Sequence, residues 1–160
     1  ITFLLQCQSC FCFSITAVTS LFPGMNEQKS LILCVLQKDN TVYTSKERGV
    51  KPLLVWVNES KDFTGFCAAD KVVGKAAAYL YVLLKVKAVY AKIISVPAAH
   101  VLEEHGIEVF FGEKVDAIHN RTNTGFCPME TAVWDIDNPE KALVAIRNKA
   151  SELSNGMSQA

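Results

Sequence analysis

Residues 31–36 (LILCVL) form an unbroken apolar run, the pattern of a strand covered on both faces. Lys38-Asp39-Asn40 interrupts it as a turn. Residues 41–45, with Val42 and Tyr43, read as a second strand, so the two predict a β-hairpin. Gly49 breaks the chain, and Pro52 suits the start of a short helix through Trp56. A polar connection over residues 59–62 comes next. Residues 70–84 are rich in Ala, Lys and Leu, which predicts a long helix with Gly74 and Ala78 one turn apart. Residues 87–94 (KAVYAKII) carry the β-branched and aromatic side chains of a strand. Ser95 is placed to cap a helix that runs to about His105 and stops at Gly106. Residues 107–111 form another strand. Asn138-Pro139-Glu140, a cap followed by proline, opens a last helix to about Leu153, with residues 156–160 expected as a frayed tail.

Strands alternating with helices imply crossover connections and a sheet covered on both sides. The expected fold is α/β, a three-layer α/β/α sandwich whose mixed sheet begins with the hairpin. A chain of 160 residues is the length of one domain with one sizeable core. Sixteen basic and sixteen acidic residues cancel, which gives no basic surface for nucleic acid or for an anionic membrane. Half of the residues are apolar, as in ordinary globular proteins.

Residues 1–24 differ in kind. They hold no charged residue and three of the six cysteines, Cys7, Cys10 and Cys12. A secretory signal would need a basic start, and a membrane helix about 20 largely apolar residues, whereas Gln6, Gln8 and Ser9 break this run. The preferred reading is an N-terminal extension of upstream sequence, a natural start at Met25 and a single domain over residues 25–155. Cys7 and Cys10 make half of a tetrahedral metal site with no second pair. Cys34, Cys67 and Cys127 are widely spaced, which fits a reducing cytoplasm better than a disulfide framework.

Four segments, SKERGVKPLL, AADKVVGKAAA, VYAKIIS and NRTNTGFCPME, resemble an uncharacterised family of small proteins grouped with the cytidine-deaminase-like fold. The resemblance spans roughly residues 31–146. It implies a mixed sheet flanked by helices and a site where two helix N-termini converge. Such ends expose unpaired N–H groups and suit an anionic or oxygen-rich ligand. A deaminase of this fold carries a His-x-Glu and a Pro-Cys-x-x-Cys that hold zinc and move protons. By the resemblance, Ala68 stands for the first ligand, Asp70 for the glutamate, and Ala98 and Val101 for the two cysteines. Aliphatic side chains cannot bind zinc, so no metal, no cofactor and no zinc-dependent deamination are expected.

The polar residues that remain define the candidate site. Asp70 opens the expected long helix, with Lys71 and Lys75 on one face of it, or else Asp70 is a cap and both lysines are solvated. The loop from His119 to Glu130 gathers Asn120, Arg121, Thr122, Asn123, Thr124 and Cys127 ahead of a helix start at Pro128. Arg121 can take a phosphate bidentately with Thr122 and Thr124 beside it. The plainer reading is a hydrogen-bonded turn in which Asn123 and Gly125 take left-handed backbone. Cys127 is a nucleophile or simply a buried thiol. Of the histidines, His100 and His105 lie five apart, off a shared face, and His105 suits a helix C-terminus.

Two functions stand. The preferred one is a zinc-free domain that binds a small molecule, a nucleotide or sugar phosphate, among Asp70, Lys71, Lys75, Ser95, Asn120, Arg121, Thr122, Asn123, Thr124, Cys127 and Glu130. The other is a metal-independent hydrolase or transferase that uses Asp70, Lys75 or Cys127. No nucleic acid or membrane partner is expected, and homo-oligomerisation is left open.

Overall fold

A computed structural model describes residues 34–157 apart from 48 and 121. The readings made for residues 1–33, for Arg121 and for residues 158–160 lie outside the described residues.

Strands β1 (Cys34–Lys38) and β2 (Thr41–Ser45) form the expected hairpin, turning at Asp39, whose φ is 50°. The chain then enters α1 (Lys51–Asn58), where Pro52 occupies the first turn as its fixed φ and missing N–H allow. β3 (Cys67–Val73), α2 (Lys75–Leu83), β4 (Ala88–Ser95), α3 (Val96–Glu104) and β5 (Glu108–Val115) come next as two successive β-α-β units. The short α4 (Pro128–Ala132) and the long α5 (Pro139–Met157) complete the chain. The strand order is β2-β1-β3-β4-β5. β1 runs antiparallel to both its neighbours, while β3, β4 and β5 are parallel, so the sheet is mixed and opens on the hairpin. The expected α/β class holds.

One expectation fails. The stretch read as a helix from Asp70 to Leu84 is two elements, a strand to Val73 and a helix from Lys75, hinged at Gly74. Ala68, Ala69, Asp70 and Lys71 are strand residues, so Asp70 opens no helix and shares no helix face with Lys75. Composition misled because β3 is an inner strand. Flanked by β1 and β4 and covered above and below, it has room for alanine on both faces, and Ala68 and Ala69 are buried. Val35, Cys67, Ala69 and Ala88, on the side of the sheet facing away from Leu36, Ala68 and Val89, are buried too.

Helix α2 is the centre of the core. Every residue from Lys75 to Tyr81 is buried, the mark of a helix apolar all round. It packs on the sheet, between α1 and α3, and against Ala142 and Ile146 of α5. Arg147 ties α5 to the end of α1 by donating two hydrogen bonds to Asn58 Oδ1, at 3.0 and 2.6 Å. α5 continues past Leu153 to Met157. Among the described residues no helix is long and apolar enough to cross a membrane.

Candidate functional site

Parallel strands β3 and β4 end side by side, with Val73 opposite Ile94. Each leads at once into a helix, so α2 and α3 both begin at this end of the sheet, where ligands gather in open α/β folds. Gly74 starts α2 with no side chain to cap it. Ser95 caps α3, its Oγ accepting from Ala98 N–H at 3.3 Å, as the sequence led one to expect.

The space between the two helix starts is taken by the chain itself. Glu130, 1% exposed, reaches in from α4. Its Oε1 accepts from Lys75 N–H at 3.2 Å and from the Ser95 hydroxyl, and its Oε2 accepts from Ile118 N–H at 2.6 Å. Main-chain N–H groups can only donate, and the Ser95 hydroxyl gives its one hydrogen to Oε1 while its oxygen accepts from Ala98. All three contacts therefore point hydrogens at the carboxylate, the arrangement that holds an anion at helix N-termini. Gly74 lies close against both: a Cβ there would sit 3.3 Å from Ile118 Cγ1 and 3.4 Å from Glu130 Oε1, a tight fit that glycine avoids. Of the residues proposed from sequence, Lys75, Ser95 and Glu130 are brought together.

The others are not. The Asp70 carboxylate accepts from the Tyr81 hydroxyl at 2.8 Å and from Val72 N–H at 3.3 Å, and Tyr81 in turn meets Cys34 Sγ at 3.3 Å. Burial pushes Asp70 up to about 6 against the bonds it accepts, and burial raises the Cys34 thiol and the Tyr81 phenol well above their usual ranges. Lys71 lies on β3, on the opposite side of the strand from Asp70. The loop closes on itself. Asn120 Oδ1 accepts from Thr124 N–H at 3.0 Å and from the Thr122 hydroxyl at 3.1 Å, while Asn120 Nδ2 donates to Thr124 Oγ1. Asn123 is left-handed (φ 53°) as expected, whereas Gly125 is not among the residues with positive φ. The polar side chains of Asn120, Thr122 and Thr124 thus serve the turn. Cys127 is half-buried, sits at the N-cap position of α4 without a side-chain cap bond and sends its N–H to Ile118 O at 2.8 Å.

Beside the Glu130 plug lies a cleft of about 810 Å³ that sequence reasoning missed. Lys75 and Tyr79 of α2 form its floor, His100 and Glu104 of α3 one wall, and Asp116, Trp134 and Asp137 the other. Lys75 Nζ donates to Trp134 O at 2.6 Å and lies 5.8 Å from the centre of the Tyr79 ring. Burial first, then the charges of Asp137 and Glu104, raise the Tyr79 phenol above its ordinary value. His100 Nδ1 sits 3.2 Å from Glu104 Oε2, a helical i,i+4 pair. That i,i+4 spacing is the signal by which the pair is legible in the sequence. Phe126, 58% exposed, meets the His119 ring edge-on and the Trp134 ring at a tilt, with ring centres 5.4 and 6.1 Å away.

A zinc centre of the deaminase kind does not fit these helix starts. They present Gly74, Lys75 and Ala76 on α2 and Val96, Pro97 and Ala98 on α3, with no imidazole or thiol, and the nearby carboxylate already takes three hydrogen bonds. Ala98 and Val101 do lie on a helix that begins at this end, but Ala68 and Asp70 lie inside a strand, so their match to a His-x-Glu helix start is withdrawn. Among the described residues no group of three or more His, Cys, Asp and Glu side chains is placed to hold a metal ion.

Comparison with known proteins places the chain in a family. No curated protein matches it. A DUF1893 family protein, TM1506 of Thermotoga maritima, has a similar solved structure, with a TM-score of 0.72 and 26% identity over 86% of this chain and 88% of that one. The dCMP deaminase of cyanophage S-TIM5, in apo form, is a weaker likeness, with a TM-score of 0.37 and 16% identity over 52% of this chain and 79% of that one. The family model described as "TM1506: Domain of unknown function (DUF1893)" matches residues 25–150. The chain belongs to the DUF1893 family.

Proposed function

We infer that this protein is a small-molecule-binding domain on a deaminase-like scaffold, with its ligand in the cleft beside Glu130 and no zinc-driven water attack. The observation that carries this reading is the cleft itself, open at the sheet end where two helices start and walled by Trp134, His100, Glu104, Asp116 and Asp137. An aromatic side chain with several acceptors around it suits a flat heterocycle bearing amine or hydroxyl groups. A nucleoside-like molecule meets that description.

The phosphate-centred version of the idea loses support. Three carboxylates outnumber Lys75 and His100 around the cleft, and the helix starts that would cradle a phosphate are engaged by Glu130. The enzyme alternative also loses support. Asp70 is hydrogen-bonded to Tyr81 and Lys75 Nζ to Trp134 O, so both proposed acid–base groups are already engaged within the fold.

The test is a thermal-shift screen of nucleosides against the corresponding monophosphates, repeated with Asp137→Asn and His100→Ala. Nucleosides should raise the melting temperature of the wild type, and both substitutions should remove the shift. Stabilisation by the monophosphates alone, unaffected by either substitution, would refute the cleft as the binding place.

A further inference from the structure

The cleft beside Glu130 is unbalanced in charge. Glu104 stands on one wall and Asp116 and Asp137 on the other, against the single ammonium of Lys75. Lys75 is 8% exposed, and its Nζ is drawn to Trp134 O and the Tyr79 ring at the floor. Glu104 meets the neighbouring His100 imidazole. Among the described residues the exposed carboxylates of Asp116 and Asp137 have no hydrogen bond or ion pair. Besides burial, the charges of Asp137 and then Glu104 hold the Tyr79 phenol up, so fields from opposite walls meet at the floor. Trp134 lines the same cleft and is 46% exposed.

Taking the cleft as the binding place inferred above, we propose that it selects a cation: its ligand is a flat heterocycle with a delocalised positive charge, seated against Trp134 with that charge between Asp137 and Glu104. The ligand class narrows from nucleosides in general to those with a cationic base. An aromatic face attracts a cation through its quadrupole, and tryptophan does so best. The carboxylates add a Coulomb attraction that a neutral base of the same shape does not feel. A delocalised cation is also more weakly hydrated than a compact ammonium, so it gives up less on leaving water. A phosphate in the same place would meet three carboxylates and be repelled.

Three ligands of nearly one shape test this. N1-methyladenosine has a base that is a cation at neutral pH, adenosine is its neutral parent, and N1-methylinosine carries the same methyl on a neutral base. In titration calorimetry of the full chain at low ionic strength, N1-methyladenosine should bind about tenfold tighter than either neutral nucleoside. Added salt should narrow the gap by screening the exposed carboxylates, and Glu104→Gln, on the exposed side of α3, should cut it to about threefold. Trp134→Ala should weaken all three ligands. Equal binding of the three, or a preference that N1-methylinosine shares, would overturn the selection of a cation and leave the cleft standing as the binding place. A preference for N1-methyladenosine that neither salt nor Glu104→Gln reduces would do the same. Binding of none of them would overturn both readings.

Discussion

Replacing Glu130 with glutamine removes one charge and leaves the volume unchanged, so it isolates what the buried carboxylate does. Two oxygens now serve three donors: Lys75 N–H and the Ser95 hydroxyl on Oε1, and Ile118 N–H on Oε2. An amide has a single oxygen. If that oxygen takes the Oε1 position, the amide NH2 faces Ile118 N–H, donor against donor. If it takes the Oε2 position, the NH2 faces Lys75 N–H. One buried main-chain donor is orphaned either way, at a cost of about 1–3 kcal/mol. The bonds that survive lose their charge assistance, roughly another 1 kcal/mol. The expected loss is therefore about 3 kcal/mol, or a melting temperature lower by about 10 °C. Urea unfolding at neutral pH, compared at equal m-value, measures it. Glu140→Gln, on the exposed first turn of α5, is the control and should stay within about 0.5 kcal/mol of wild type. A Glu130→Gln protein as stable as that control would refute the claim that this carboxylate joins the two helix starts.

Three further outcomes are expected. Burial raises Asp70 from 3.8 to about 6, so the folded protein holds this proton more tightly than the unfolded chain does. Its contribution is then greatest below about pH 4 and falls by roughly 3 kcal/mol as pH rises to about 6; Asp70→Asn should flatten that slope in urea titrations at pH 4.5 and 7. Ser95→Ala removes both the cap on Ala98 N–H and a hydrogen bond to Glu130, and should lower the unfolding free energy by about 2 kcal/mol in the same assay. Asn123→Ala puts a side chain that disfavours φ 53° into the loop and should cost about 1 kcal/mol, with Asn123→Gly close to neutral by thermal melting.

The hairpin, the capped helix after Ser95, its stop at Gly106 and the proline-led start of α5 were legible in the sequence, because turn and cap chemistry is local. β3 was not. Its alanines, aspartate and lysine carry helix-leaning or turn-leaning preferences, and only the inner position between β1 and β4 makes them a strand. The Val72-Val73-Gly74 step, β-branched residues ahead of a glycine, was the local clue. The idea of converging helix starts was sound. Yet the residue that fills them, Glu130, is more than thirty positions from either helix start and read as the end of a polar loop. The cleft was invisible for the same reason: Lys75, His100, Asp116 and Trp134 meet only once β3, β4 and β5 have fixed the directions in which the chain leaves the sheet.

The sharpest single test is amide hydrogen exchange at Lys75 and Ile118 in the wild-type protein. A helix-start N–H and a loop N–H have no main-chain partner of their own and ordinarily exchange quickly. Held by Glu130, both should exchange as slowly as the amide of Leu80 in the buried helix. Exchange at the pace of exposed loop amides such as that of Thr122 would mean that the carboxylate is not there.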